Sequence, residues 1–157
     1  MSDDLKRSSE APKTSQLTEG VVRLPCNQPS DRYAASAAAI HVAHHAGLSP
    51  RQCQEVGVVA AELASNAFLH AGGGLLDVRA LETGGIEIVC RDPGPGMESP
   101  TRVLDNAVLR WHERAAADLH PDGFGTGLGA IQMLVDQMSV ESTVGVGTTI
   151  RVRKHTR

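Results

Sequence analysis

The feature that most constrains the fold of this chain is a long helical segment with a clear signal at each end. It begins with Ser49-Pro50-Arg51-Gln52, where Ser at the N-cap, Pro at the first helical position and Gln at N3 form a capping box. Apolar residues then recur at helical spacing to about His70, where Ala71-Gly72-Gly73-Gly74 ends the helix. A helix with one apolar stripe must pack against another layer.

The segments on either side of this helix predict an α+β fold. Their order is strand, helix, the long helix, two strands, an irregular segment with one short helix, a further helix and a final hairpin. We expect a two-layer α/β sandwich with the helices on one face of a sheet. The predicted segments are Val21 to Leu24, Ser30 to Ala46, Leu75 to Leu81, Gly85 to Asp92, Val108 to Leu119, Gly125 to Met138, Ser139 to Ser142 and Thr148 to Arg153.

The length of 157 residues is that of one domain. Residues 1–18 are polar, with almost nothing to bury, and are predicted to be a disordered tail. Residues 19–157 would then form the domain. Within it, residues 97–124 are irregular and rich in polar residues, and a connection of this length is typical of a functional lid.

Composition excludes several classes of protein. Hydrophobic residues make up 41% of the chain and aromatic residues 3%, so the core must be aliphatic. A net charge of -3 gives no electrostatic reason to expect a nucleic-acid partner. No apolar run approaches the roughly 20 residues that span a bilayer. The separated cysteines (Cys26, Cys53 and Cys90) favour reduced thiols, and we expect a cytoplasmic protein with neither nucleic-acid nor membrane partners.

A row of polar side chains follows the apolar stripe of the long helix. Glu62 and Asn66 are four residues apart and therefore share one face, and His70 continues the row one turn later. One interpretation is a solvated helix edge. The other is a site for hydrated Mg²⁺, because carboxylate and amide oxygens are ligands that this cation prefers.

A second polar position lies at the end of the second predicted hairpin strand. Asp92 falls on the same face as the inward Ile88 and Cys90. An inward carboxylate at a strand end is a candidate acceptor for a ligand group such as an exocyclic amine. Gly94 and Gly96 permit positive φ and close backbone approach. The alternative is a tight Pro-Gly turn in which Asp92 caps its own backbone.

A third segment, Gly123-Phe124-Gly125-Thr126-Gly127-Leu128-Gly129-Ala130, places alternating glycines before a helix. Free amides at a helix N-terminus can cradle phosphate groups. No Lys-Ser/Thr pair follows, so this is not a Walker A loop. It partly fits a dinucleotide fingerprint, which we reject because residues 115–122 make a poor strand. A flexible hinge remains the structural alternative.

The order of these segments resembles the GHKL superfamily of ATPases and kinases, with its N box, G1 box, G2 box and terminal Gly-Thr. Glu62-x-x-x-Asn66, Asp92-x-Gly94-x-Gly96, the glycine-rich loop and Gly147-Thr148 match these boxes in turn. The resemblance covers about residues 20–154. It implies the Bergerat fold, with a mixed, mostly antiparallel sheet and about three helices on one face.

Within the superfamily, the chain is similar to small bacterial serine/threonine kinases of sigma-factor partner switching. It resembles stressosome switch kinases of the RsbT type, with anti-sigma kinases of the RsbW type as near neighbours. The resemblance implies ATP and Mg²⁺ as cofactors and a STAS-domain protein as substrate. It also implies a PP2C-type phosphatase as partner or, in the alternative, a sigma factor that the chain sequesters.

The resemblance also implies roles for individual residues. Asn66 would coordinate Mg²⁺ at the ATP phosphates, and Glu62 would act as general base or orient the substrate hydroxyl. Asp92 would bind the adenine amine, supported by Thr148. The remaining predicted ATP-binding residues would shape the pocket or line its phosphate side: Gly94, Gly96, Gly125, Thr126, Gly127, Leu128 and Gly129. Any of three lid arginines could contribute a charge: Arg102, Arg110 or Arg114.

Overall fold

The computed structural model describes residues 17–18, 20–116 and 127–157. Six strands form one sheet in the order β1-β2-β3-β4-β6-β5, and every pairing is antiparallel. The strands are β1 (Leu17–Thr18), β2 (Val21–Pro25), β3 (Leu75–Ala80), β4 (Gly85–Asp92), β5 (Gln137–Thr143) and β6 (Gly147–His155). The helices are α1 (Asp31–His45), α2 (Pro50–Ala71), α3 (Pro100–Ala116) and α4 (Gly127–Leu134).

The two ends of α2 form as the sequence predicts. The Ser49 hydroxyl accepts a hydrogen bond from the Gln52 amide at 3.2 Å, and the Gln52 side chain accepts one from the Ser49 amide at 3.0 Å. At the other end Gly72 adopts φ 72°, a left-handed conformation in which its missing Cβ avoids a steric clash. Local sequence therefore sets both bounds of this helix.

Helices α1 and α2 pack against each other and cover one face of the sheet. The core between the layers is aliphatic, as the low aromatic content requires. Leu63, Leu76, Ile88 and Ile131 are each at most 1% exposed. Burial of such side chains contributes on the order of 2 kcal/mol each. The expected α+β sandwich with a mostly antiparallel sheet is confirmed.

The bounds of α3 differ from the predicted short helix at 108–119. The helix begins at Pro100, eight residues earlier, and the Val103 amide donates to the Ser99 carbonyl at 3.1 Å. Ser99-Pro100 repeats the Ser-Pro pair that opens α2, so the start signal was present in the sequence. Most of the predicted lid up to residue 116 is thus a regular helix.

Helix α4 is shorter than the predicted segment from Gly125 to Met138. It ends at Leu134, whose carbonyl accepts a hydrogen bond from the Lys154 ammonium at 2.5 Å. The Asp136 amide then donates to the Arg153 carbonyl at 2.9 Å, which starts the pairing of β5 with β6. Contacts with β6, distant in sequence, therefore end this helix.

Several predicted features lie outside the described residues. They are the first sixteen residues of the predicted tail, lid residues 117–124, and Gly125 and Thr126 of the glycine-rich loop. No helix in the described part of the chain is long and apolar enough to span a bilayer.

Candidate functional site

One cavity lies where α2, the ends of β4 and β6, α3 and the start of α4 meet. Its volume is about 560 Å³, which is within the usual range for small-ligand sites. Its lining joins residues from all three segments singled out in the sequence. The lining residues are Asn66, His70, Asp92, Pro95, Gly96, Met97, Val103, Asn106, Ala107, Arg110, Gly127, Leu128, Thr148 and Ile150.

Helix α2 presents the predicted polar row to this cavity. Asn66 is half-buried in the lining, and His70 lies one turn further on at the exposed end of the helix. The row is therefore not a solvated helix edge along its whole length. A half-buried amide side chain that faces a cavity is available to coordinate a ligand or a hydrated cation.

Glu62 is buried, with 7% of its surface exposed, and lies behind the cavity wall rather than in the lining. Burial raises the pKa of its carboxyl group, and two interactions oppose this rise: the positive charge of Arg32 and a hydrogen bond from the Gly127 backbone. Glu62 thus contacts the cavity through the first residue of α4. A carboxyl group in such surroundings is poised to accept a proton.

Asp92 also lines this cavity. Its Oδ1 atom accepts a hydrogen bond from the Gly94 amide at 2.9 Å, so the self-capping turn does form. The structure shows no hydrogen bond from the described residues to the Oδ2 atom. Asp92 therefore caps the turn with one oxygen and can accept a hydrogen bond from a ligand with the other.

The last hairpin supports Asp92 and the loop that follows it. Thr148 pairs with Asp92 across β4 and β6. The Thr148 hydroxyl lies 2.8 Å from the Ser142 hydroxyl, which in turn accepts a hydrogen bond from the Met97 amide at 2.8 Å. Gly96 has φ 72° and approaches the Thr143 backbone, so this position requires glycine. The loop after Asp92 is thereby docked on the tip of the hairpin.

Two predicted glycines do not line the cavity. A Cβ at Gly94 would lie 2.6 Å from the Ala71 Cβ, and one at Gly129 would meet the Ala107 carbonyl and lie 2.9 Å from the Trp111 Cβ. Both positions therefore allow close packing, between the Asp92 turn and α2 and between α3 and α4. Gly127 and Leu128 do line the cavity, as predicted.

Helix α3 supplies lining residues that the sequence did not single out, namely Val103, Asn106 and Ala107. They recur with helical spacing, and Arg110 follows one turn later. Among the residues that the structure describes, Arg110 is the only Lys or Arg in the lining, and Arg102 of the same helix lies outside it. The spacing of these four residues in the sequence is helical and could have revealed that they share one face. The predicted helix began at residue 108, however, so it included only Arg110.

The chemistry of the lining fits a magnesium nucleotide. The lining offers the Asp92 carboxylate, the Asn66 amide, the Arg110 charge and the N-terminus of α4. In the described part of the chain no three His, Cys, Asp or Glu side chains form a group that could hold a metal ion. A cation held by one amide oxygen must therefore share its coordination with ligand phosphates and water, as Mg²⁺ commonly does.

Comparison with known proteins agrees with this geometry. Residues 27–154 match the family described as histidine kinase-like ATPase domain. The chain is 27% identical over 120 residues to the serine/threonine-protein kinase RsbT of Bacillus subtilis, covering 74% of this chain and 83% of RsbT. It is 30% identical over 107 residues to the anti-sigma F factor of Priestia megaterium, covering 64% of this chain and 68% of that protein.

Among solved structures, the chain is similar to the histidine kinase domain of a blue-light activated histidine kinase from Erythrobacter litoralis EL346. The TM-score is 0.47 and the identity 13%, and the match covers 90% of this chain and 66% of that one.

The family match extends from the second residue after β2 to the penultimate residue of β6, and so includes all three site segments and the terminal Gly-Thr. The expected resemblance to switch kinases and anti-sigma kinases is confirmed by the two relatives. The expected class of enzyme, a protein serine/threonine kinase, is confirmed by the family and by the similarity to RsbT. The chain belongs to the histidine kinase-like ATPase domain family.

Proposed function

We propose that this chain is a Mg-ATP-dependent protein serine/threonine kinase of a partner-switching module. The observation that carries the proposal is the cavity itself, which Asn66 and Asp92 both line while Glu62 is hydrogen-bonded to the Gly127 backbone in its wall. We infer an adenine end at Asp92 and a phosphate end at Asn66, with a candidate base beside the phosphate end.

Each end would bind a different part of ATP. Asp92 would accept a hydrogen bond from the exocyclic amine through its Oδ2 atom, and Thr148 would hold that strand pair in register. At the other end Asn66, the Leu128 amide in the first turn of α4 and Arg110 would bind the phosphates. Mg²⁺, when bound with ATP, would supply neutralisation of phosphate charge. Positioning and charge neutralisation supply most of the catalysis in phosphoryl transfer.

Glu62 would act on the substrate protein rather than on ATP. It would orient a serine or threonine hydroxyl and accept its proton as the oxygen attacks the γ-phosphorus. The bond from that phosphorus to the β,γ-bridging oxygen breaks, and ADP leaves with the bonding electrons. Burial of Glu62 supports this role, because it raises the pKa of the carboxyl group and strengthens it as a base.

The substrate and partners are proposed from the resemblance to partner-switching kinases. We propose a STAS-domain antagonist as substrate and a PP2C-type phosphatase as the partner that the released kinase activates. The similarity to an anti-sigma F factor supports an alternative in which the chain sequesters a sigma factor. We also propose a cytoplasmic location, which the three free, buried cysteines support.

The test of the kinase proposal is transfer of labelled phosphate. We expect the full chain, incubated with γ-labelled ATP and Mg²⁺, to label a serine or threonine of a STAS-domain protein from the same genome. Omission of Mg²⁺ should remove the label. If no candidate STAS protein is labelled, the proposed substrate class is wrong. Pull-down from the same mixture would separate the alternatives. A switch kinase that activates a phosphatase would retain that phosphatase, and an anti-sigma factor would retain a sigma factor.

Arg110 provides a prediction within the same site. We expect Arg110→Ala to raise the KM for ATP by roughly tenfold, because one charge-assisted contact to phosphate is lost. Arg102→Ala is the matched control, since Arg102 lies on the same helix but outside the cavity. Initial rates at varied ATP concentration measure both variants. An equal rise in the KM for ATP in both variants would show that Arg110 acts only through the net charge of the chain and not through a contact with phosphate.

A further inference from the structure

The sheet face that turns away from the helices carries a cluster of arginines. The helices cover the face that includes Leu76, Ile88 and Val152, so residues of opposite parity on the same strands point outward. We call this surface the arginine face. It consists of Arg23 on β2, Asp77 and Arg79 on β3, Glu87 and Arg91 on β4, and Arg151 and Arg153 on β6.

Asp77 is the first of two carboxylates in this surface. The Arg23 guanidinium donates to both of its oxygens, at 2.7 and 2.9 Å, and Arg91 donates to Oδ2 at 2.9 Å. A guanidinium bound through two parallel hydrogen bonds is held in a defined orientation. The hydrogen bond from Arg23, helped by the one from Arg91, keeps the pKa of Asp77 below its usual value, although burial opposes this.

Glu87 is the second carboxylate and lies deeper, with 1% of its surface exposed. Burial acts to raise the pKa of Glu87, but hydrogen bonds from Arg153, Arg79 and Arg151 hold it below its usual value. The three donor distances are 2.7, 2.8 and 3.0 Å respectively. Glu87 therefore stays ionised beneath a layer of three arginines.

The same layer covers an apolar side chain. Val89 is 4% exposed, although it points to the side without helices and does not belong to the main core. Its neighbours across the strands are Asp77 and Arg151. Arginine stems pack along apolar surface while their charged heads stay in water, and Arg151, the neighbour of Val89 on β6, is placed to cover it in this way.

The arginine face carries more positive charge than its own structure requires. One arginine for each carboxylate would neutralise Asp77 and Glu87, yet five arginines are present, an excess of three charges on a chain of net charge -3. The exposed Glu141 on the edge strand β5 reduces this positive charge only near the end of the face that carries Arg91. The five arginine side chains remain 40 to 48% exposed. Each guanidinium has five N–H donors, so several stay free to bind a partner.

We propose that the arginine face is a docking surface for an acidic segment of a partner protein. From Arg23 to Arg153 it crosses four adjacent strands, about 14 Å, which is wide enough for one helix of roughly 10–12 Å diameter. Carboxylates on such a helix would pair with guanidiniums that Asp77 and Glu87 already orient. Arginine is the charged residue that protein interfaces favour, because its orientation costs little entropy.

Charge complementarity argues against two other occupants of the arginine face, a second copy of the chain and a nucleic acid. A second copy of the chain would place one arginine face against another, and the like charges would repel. Nucleic acid carries a charge about every 1.7 Å, so the rest of this chain, which is net negative, would repel it beyond the patch. A local acidic patch on a protein avoids both costs. The partner would then bind on the sheet side, away from the nucleotide cavity on the helix side.

The test compares two double variants of the full chain that remove the same charge. Arg23→Gln with Arg151→Gln lowers the excess on the arginine face, while Asp77 keeps Arg91 and Glu87 keeps Arg79 and Arg153. The matched control is Arg51→Gln with Arg157→Gln. These arginines are 90% and 76% exposed, and their partners Glu55 and Asp136 keep a Lys154 ion pair and a His155 amide hydrogen bond.

The probe is a fluorescein-labelled helical peptide with glutamates along one face, measured by anisotropy at low salt. We expect it to bind the wild-type chain more tightly than a peptide with glutamine in place of glutamate. The arginine-face variant should bind about tenfold more weakly and the control variant within about twofold of wild type. Affinity for an ATP analogue should be unchanged in both, which separates this proposal from the kinase proposal.

Three results would overturn the docking proposal. The first is equal binding of the glutamate and glutamine peptides. The second is an equal loss in the two double variants, which would indicate net charge alone. The third is evidence for a different occupant. This evidence would be tighter binding to duplex DNA or to anionic vesicles than to the glutamate peptide, or a dimer in sedimentation that the arginine-face variant abolishes.

Discussion

Glu62→Gln is expected to lower the rate of phosphoryl transfer by roughly 10²–10⁴-fold while it stabilises the fold. Glutamine has nearly the same shape and can still accept the Gly127 hydrogen bond, but it cannot accept a proton from the substrate hydroxyl. ATP affinity should change little, since Glu62 lies behind the cavity wall. Transfer of label to the substrate protein at saturating ATP measures the loss, and wild-type rates in this variant would contradict the role of base.

The stabilisation follows from the pKa of Glu62. Burial raises this pKa in the folded state, so folding favours the protonated form and disfavours the ionised form. The free-energy cost of burying the ionised carboxylate is absent at pH values below the pKa of Glu62 in the unfolded chain. It is complete at pH values above the pKa of Glu62 in the folded chain. Glutamine removes this cost. We therefore expect the free energy of unfolding to rise by on the order of 1 kcal/mol at neutral pH, and this gain should vanish near pH ~4. Thermal unfolding at both pH values measures it.

Glu141→Gln is the control for stability, because Glu141 is an exposed carboxylate on β5. It should leave the thermal midpoint unchanged at both pH values. If Glu62→Gln gave no gain at neutral pH, burial of the ionised carboxylate would not be a cost to this fold. The raised pKa also predicts that kcat/KM rises with pH through the folded pKa of Glu62, above the range in which exposed carboxyl groups titrate.

Asn66→Ala is expected to weaken binding of Mg-ATP by about 10–100-fold or more while the fold survives. Asn66 supplies the amide oxygen of α2 in the cavity, and alanine is the best helix former, so the helix itself is not weakened. Calorimetric titration with a non-hydrolysable ATP analogue, with and without Mg²⁺, measures the affinity. The loss should be largest when Mg²⁺ is present.

Ser65→Ala controls for the change on the same helix, since Ser65 lies next to Asn66 in sequence but does not line the cavity. This variant should bind Mg-ATP as wild type does. Unchanged affinity in Asn66→Ala would contradict the metal role of the amide. Equal losses with and without Mg²⁺ would assign Asn66 to the nucleotide rather than to the cation.

The sequence contained the elements whose signals are local. The capping box at Ser49 and the glycine at position 72 set the bounds of α2, because capping depends on residues within one turn. Helical periodicity likewise placed Asn66 and His70 on one row, and strand parity placed Asp92 on the inward face. Even the missed start of α3 was marked by Ser99-Pro100. All of these features rest on spacings of a few residues.

The tertiary structure decided whatever depends on contacts between distant segments. Lys154 and Arg153 end α4 and start β5, Ala107 makes Gly129 a packing residue, and the course of α3 brings Arg110 into the cavity. Sequence can place a side chain on a face of its own element. Which residues of other elements meet that face, and how deeply it is buried, depends on register and packing over the whole chain. For this reason the sequence by itself determined the bounds of α2, the two hairpins and the polar row of α2, while only the folded structure showed the ends of α4 and the burial of Glu62 behind Gly127.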